Sequence, residues 1–181
     1  MRIISGANKG FIIKIPKGLP VRPTTDYCKE SLFNILVNAY DFQNLSVLDL
    51  FAGTAGISLE FLSRGVKKLK AIDHNDKCCR FITSQFRQLN YGNAECGKAD
   101  ALKFLSKTPD KYDIIFADPP YDYRLHEQLH LLIFQRELLN EGGLFILEHG
   151  KETQTAEFDY LSEQRNYGQS ILSFFKSPLK K

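Results

Sequence analysis

No apolar run in these 181 residues approaches the roughly 18 needed to span a bilayer, and Met1-Arg2-Ile3-Ile4-Ser5-Gly6 lacks the longer apolar stretch of a signal peptide. The expectation is a soluble, cytosolic protein with no membrane partner. Cysteine is sparse and unpatterned: Cys28, Cys78, Cys79 and Cys96 match neither a CxxC redox pair nor a zinc-ligand set, so they read as reduced structural thiols and no metal is implied. A nucleophilic cysteine would need a base and a cleft that no neighbouring motif supplies. Internal repeats and low-complexity segments are missing too. What remains is ordinary globular composition, 43% apolar and 25% charged, with length for one sizeable core.

The net charge of +3 is modest, but its distribution is uneven. Residues 1–40 hold six Lys/Arg against Asp26 and Glu30, and residues 176–181 add three lysines and no acid, while 41–175 carry 15 Lys/Arg against 19 Asp/Glu. Basic ends on an acidic middle suit a polyanion gripped from one side; the alternative is that basic termini merely keep the chain in solution.

Arg2–Gly6 and Phe11–Ile15 are short β-branched runs around Ala7-Asn8-Lys9-Gly10, which predicts a hairpin tipped by Lys9. Gly18, Pro20 and Pro23 mark a loop, after which Thr25 or Asp26 can cap a helix bearing Cys28, Leu32, Ile35, Leu36 and Ala39 at helical spacing. Buried strands are expected at Val47–Phe51, Leu69–Asp73, Asp113–Ala117 and Gly143–Leu147, with a short strand near Ala94–Gly97. Helices are expected over Ile57–Arg64, about Asn75–Asn90, and an amphipathic stretch Tyr123–Leu139. Phe158–Arg165 and Ser170–Lys176 flank Asn166-Tyr167-Gly168-Gln169 as a closing hairpin. The fold class is therefore α/β, a Rossmann-like, mostly parallel sheet with a C-terminal antiparallel hairpin, preceded by a small hairpin-and-helix extension. The expected division is 1–41 for the extension and 42–181 for the sheet domain.

Leu48-Asp49-Leu50-Phe51-Ala52-Gly53-Thr54-Ala55-Gly56 puts a carboxylate near the end of the first strand and small residues in the turn into a helix. Ligands of open α/β sheets bind outside the carboxyl ends of strands, where glycine lets backbone approach them. Phe51, Gly53, Thr54 and Gly56 are thus cofactor candidates, and Asp49 can help with a ligand ammonium, directly or through water. Asp73 ends the next strand 24 positions on, near the spacing of a ribose-hydroxyl acceptor, with His74 at the cofactor's edge. Asp100, followed by Ala101, is placed for an adenine amino group, although an acid there can equally be a helix cap.

Asp118-Pro119-Pro120-Tyr121 follows the strand that ends at Ala117. Two prolines remove two N–H donors and stiffen the turn, so the carbonyl before them is held outward. An exocyclic base amine is a poor nucleophile because its lone pair is delocalised into the ring. Acceptors from the Asp118 side chain and a main-chain carbonyl can hold its hydrogens, while Tyr121 stacks on the extruded base. That chemistry is methyl transfer from S-adenosylmethionine, without metal or covalent intermediate.

These residues together resemble the bacterial 16S ribosomal RNA guanine-N2 methyltransferase family, the RsmD type. The resemblance runs through Arg2–Gly6 with Lys9-Gly10, Arg22-Pro23-Thr24-Thr25-Asp26, Glu30-Ser31-Leu32-Phe33-Asn34, Asp49–Gly56, Leu59-Glu60, Ser63-Arg64-Gly65 and Asp118–Tyr121. It implies methylation of N2 of one guanine in small-subunit rRNA, within a partly assembled particle. On this reading Lys9, Lys14, Arg22, Thr24 and Tyr121 face RNA, although Arg22 could instead pack its loop. The family turn usually reads F-A-G-[ST]-G, whereas Ala55 stands here at the second glycine. An alanine is tolerated if φ is negative, so weaker or shifted cofactor contact is expected rather than its loss. His149, at a strand end, is given no catalytic role. Competing readings are an adenine-N6 methyltransferase, a non-catalytic RNA-binding assembly factor, and an NAD-dependent oxidoreductase; the last is disfavoured by the Asp-rich first strand and the final hairpin.

Overall fold

The computed structural model describes residues 1–19, 26–120 and 122–178. Its centre is a seven-stranded sheet made of β1 (Ser46–Leu50), β2 (Lys68–Asp73), β3 (Ala94–Lys98), β4 (Tyr112–Ala117), β5 (Leu139–Gly150), β6 (Leu161–Tyr167) and β7 (Ser170–Lys176), in the order β3-β2-β1-β4-β5-β7-β6. β1 to β5 are parallel, and β7 and β6 close the edge antiparallel. Strands covered on both faces read as continuous apolar runs, and β1 and β4 are buried along almost their whole length. Among the described residues five α-helices complete the fold: α1 (Asp26–Ala39), α2 (Gly56–Ser63), α3 (Asp76–Gln88), α4 (Ala101–Leu105) and α5 (His126–Gln135).

The chain leaves β1 towards β2 and β3, then returns to place β4 on the other side of β1. Strand order therefore reverses between β1 and β4, and their carboxyl ends are level, Leu50 opposite Ala117. A crevice at such a reversal is where open α/β sheets bind ligands.

Over residues 1–19 the N-terminal segment makes no regular strands. It closes as a loop with one antiparallel bridge, Arg2 to Ile12, supported by main-chain bonds from Ile3 to Phe11 and from Ile13 to Met1. Its packing is continuous with the rest, since Ile3 and Ile13 are buried in the same apolar cluster as Leu32, Phe33, Phe61 and Val47. The fastening is polar. Glu60 of α2, fully buried, accepts from Ile4 N (2.8 Å) and Ser5 N (3.1 Å) and pairs with Arg64 (2.8 Å). Gly6 has φ +83° and lies so close to Ser63 that a Cβ would meet its carbonyl oxygen at 1.9 Å, so no other residue fits there.

Three predicted bounds shift. The helix expected across Tyr123–Leu139 forms only over His126–Gln135, with Tyr123 hydrogen-bonded back to Pro120 O. β5 runs well beyond Gly143–Leu147 because β7 pairs with it as far as Gly150. The first strand of the closing hairpin starts at Leu161 rather than Phe158, and its turn narrows to Gly168-Gln169.

Candidate active site

The turn from β1 into α2 is built on left-handed backbone: Phe51, Gly53 and Ala55 have φ of 59°, 55° and 60°. The negative φ expected of Ala55 is therefore corrected. It keeps the glycine-like conformation although it carries a Cβ, at a cost of about 1 kcal/mol. Its methyl is fully buried in the core and its N–H bonds Ala52 O at 2.7 Å, which holds the turn in place. Gly56, the first residue of α2, has no such φ, but a Cβ on it would meet Met1 Sδ at 2.6 Å. Met1 also accepts from Thr54 Oγ1 at 3.7 Å, so the N-terminal segment roofs this end of the turn.

Asp49 is 2% exposed. Its Oδ2 accepts from Ser58 N (3.1 Å) and Ser58 Oγ (2.5 Å), tying the strand to the first turn of α2, while Oδ1 accepts from no described residue. Burial pushes its carboxyl up to about 7, against the opposing pull of the Ser58 bonds. A buried acid with half its accepting capacity unused fits a cationic ligand group such as an amino-acid ammonium. Asp73, at the end of β2, accepts from Gly53 N (2.8 Å) through one oxygen and from Asn75 N (2.7 Å) through the other, so it also sets the position of the β1 turn. Both oxygens keep a second lone pair able to accept from a ligand hydroxyl.

Asp100 caps α4 by accepting from Lys103 N at 3.0 Å, which is the structural role its sequence position left open. Ala101 behind it is buried. His74 is 72% exposed on the rim. With Gly18, Asn75, Asp76, Lys77 and Arg80 it lines an open hollow of about 550 Å³, whose walls include neither the β1 turn nor the Asp118 turn; the hollow flanks the crevice rather than forming it.

Asp118, half-buried, and buried Pro119 follow β4 directly across from the β1 turn, and Pro120 is exposed. Tyr121 lies outside the described residues, as do Arg22 and Thr24. One group that the sequence reading passed over joins this turn. Glu148, 8% exposed at the end of β5, and Asp118 both act on the Cys28 thiol in the first turn of α1. Burial first, then these two acids, push that thiol up to about 12, so Cys28 is a packing residue and not a nucleophile. On the opposite flank Tyr123 meets Phe51 edge-on at 5.2 Å and His126 at 5.2 Å. Its hydroxyl is pushed up to about 12 by burial, with Asp100 adding to the shift.

These turns, in this strand order, can be compared with known proteins. A family model described as conserved hypothetical protein 95 matches residues 1–176. The chain belongs to that family. It is the RsmD family to which the Arg22–Asp26 and Glu30–Asn34 motifs pointed. Among relatives, YlbH of Bacillus subtilis is 33% identical over 97% of this chain and 98% of its own length. Ribosomal RNA small subunit methyltransferase D of Escherichia coli strain K12 is 30% identical over 91% of this chain and 84% of its own. The solved structure of yhhF from Escherichia coli superposes with a TM-score of 0.87 at 27% identity, covering 99% of both chains.

Within this family member the basic arm divides. Lys9 and Lys14 are exposed and pair with no described acid. Lys29, by contrast, is 1% exposed: its Nζ donates to Arg2 O at 2.5 Å and lies 3.6 Å from Asp26, which also pairs with Arg2. Two of the arm's six cations thus hold the arm to α1. None of the four cysteines is in a disulfide; three are buried and Cys96 partly so, in keeping with a structural role.

Proposed function

We propose that the protein transfers a methyl group from S-adenosylmethionine to the exocyclic N2 amine of a guanine in small-subunit ribosomal RNA. The observation that carries this reading is the pairing of two turns at the sheet's reversal point: the Asp49–Gly56 turn after β1 and the Asp118-Pro119-Pro120 turn after β4, with Leu50 and Ala117 side by side. The membership of the RsmD family and the E. coli relative named for small-subunit rRNA support the substrate class.

The cofactor supplies an activated methyl. Asp49, through its unused oxygen, would hold the cofactor's ammonium, and Asp73 would accept from the ribose hydroxyls while fixing the turn through Gly53. Asp118 holds an amine hydrogen so that the nitrogen lone pair points at the methyl, and Tyr121 stacks on the base. The amine nitrogen becomes acidic only as its bond to carbon forms, so Asp118, already accepting one of its hydrogens, can take that proton and pass it to water, and a strong base is not needed. Residues 1–41 serve as an RNA clamp, with Lys9, Lys14 and Arg22 on phosphates and Thr24 beside them.

Radiolabelled methyl transfer to 16S rRNA and to small-subunit particles from cells lacking the activity, followed by nucleoside analysis, tests the proposal. N2-methylguanosine is the expected product. N6-methyladenosine would replace the substrate assignment, and no transfer to either RNA would overturn it.

A further inference from the structure

Aromatic side chains flank the Asp118 turn on both sides. On the β1 side stand Phe51, Tyr123 and His126. On the other stands a pair with no role so far. Tyr27, the second residue of α1, is 70% exposed, and its ring meets Tyr167 edge-on with centroids 5.9 Å apart and planes at 74°. Tyr167 is anchored: its ring packs against the main apolar cluster and its hydroxyl lies beside the Ser31 side chain on α1. Tyr27 is therefore a large flat ring backed by a fixed neighbour and otherwise open to solvent.

Its position is set by two independent connections. Tyr167 opposes Ser170 across the closing hairpin, and Ser170 opposes Gly150 of β5, so the hairpin tip is level with the end of β5, just past Glu148. From the helix side, Cys28 next to Tyr27 lies in the field of Glu148 and Asp118. Both place the pair on the rim of the catalytic turn, at the carboxyl edge of the sheet.

Extruding a base from a strand unstacks its neighbours and leaves their faces without partners. An exposed aromatic ring beside the extrusion site restores one such contact irrespective of base identity. We propose that Tyr27, backed by Tyr167, is the stacking platform for the unpaired nucleotide adjoining the methylated guanine. The inference rests on the rRNA methyltransferase reading above. The exposed guanidinium of Arg2, drawn to the same end of α1 by Asp26 at 3.3 Å, adds positive charge beside the ring and suits a nucleotide better than an apolar protein surface.

The test uses full-length protein, 16S rRNA from cells lacking the activity, and the variants Tyr27→Ala, Tyr27→Phe and Tyr27→Trp. Tyr27→Ala should raise KM for rRNA roughly five- to a hundredfold, the range of one base–aromatic stack, with kcat and S-adenosylhomocysteine affinity near parental. Phe and Trp should restore KM. The salt slope of RNA binding should not change in any of them, since no phosphate contact is lost. A parental KM for Tyr27→Ala would overturn the proposal, and so would a parallel loss of S-adenosylhomocysteine affinity or a Phe variant as poor as Ala. A defect seen with particles but not with naked rRNA would assign Tyr27 to a ribosomal protein instead. If the parental protein methylates neither naked 16S rRNA nor small-subunit particles, the function reading itself fails, which the parental control separates from failure of the platform alone.

Discussion

Replacing Asp49 by asparagine should make the ligand-free protein more heat-resistant at pH 8, weaken cofactor binding, and remove most of the pH dependence of that binding near neutrality. Burial raises this carboxyl from an ordinary 3.8 to about 7, a difference worth roughly 4 kcal/mol between the two protonation states. The folded protein thus takes up this proton more readily than the unfolded chain. The group's contribution is most favourable at low pH and is lost as pH rises from 3.8 through about 7, so at pH 8 the parental apoprotein carries the whole burden of a buried charge. A ligand ammonium at Oδ1 favours the ionised form, so binding must expel the proton wherever the apoprotein holds it. At pH 6, about one unit below the folded value, affinity should be roughly tenfold lower than at pH 8, or about 1.4 kcal/mol. Calorimetry with S-adenosylhomocysteine at pH 6, 7 and 8, in two buffers of different ionisation enthalpy, reads both the affinity and the protons released. A pH-independent parental affinity, or an Asp49→Asn profile that keeps the parental slope, would refute the reasoning.

Asp118→Ala should lower kcat by at least a hundredfold while leaving S-adenosylhomocysteine affinity within about twofold, because the side chain is assigned to the amine and not to cofactor anchorage; unchanged turnover would remove it from the mechanism. Replacing Lys9, Lys14 and Arg22 together with alanine should flatten the salt dependence of RNA binding by about 0.7 to 0.9 log units per lost phosphate contact, and a parental slope would make the arm purely structural. Ala55→Gly should fall within about 1 kcal/mol of parental stability in urea unfolding, since relief of the left-handed alanine, about 1 kcal/mol, is offset by loss of a buried methyl worth about 0.8 kcal/mol. A loss beyond 2 kcal/mol would mean that the methyl's packing outweighs the backbone. His130 and His149 are buried, 3% and 5% exposed, and burial lowers both. The unfolded chain then binds their protons first, so stability should fall as pH drops below about 6.5, by up to about 1.4 kcal/mol per pH unit for each histidine, and His149→Gln should make the acid limb of the thermal midpoint shallower.

The strands that form the site were legible because burial on both faces makes each of them a short apolar run, and the acids Asp49, Asp73 and Asp118 stand out where those runs end. What stayed hidden follows from the limits of pattern. Ala55 does not announce the sign of its φ; that is imposed by the turn and by Ala52. Lys29 reads as one more surface cation, yet it is buried against Arg2 O, a contact made between segments far apart in sequence. Glu148 closes an apolar run just as Asp118 does, but without a proline pair behind it nothing separates it from a strand-end carboxylate. The five residues of α4 are too few to show a helical period, so the sequence alone did not decide between a ligand role and a helix cap for Asp100.

α2 explains why the basic arm, proposed above as an RNA clamp, is built into the sheet domain rather than hung from it. Its first turn serves the cofactor side: Ala55 leads into it and Ser58 holds Asp49. Two turns on, the same helix presents Glu60 and Ser63 to the arm, where they take the N–H groups of Ile4, Ser5 and Asn8, and Ser63 returns a bond to Ser5 O at 2.6 Å. Met1 then comes back over Gly56 and Thr54. A helix of eight residues, every one of them buried, has little freedom to adjust one end without the other. The position of Lys9 and Lys14 is therefore fixed by the element that shapes the β1 turn, and in the proposed mechanism the distance from phosphate grip to methyl donor is set by rigid packing rather than by a linker.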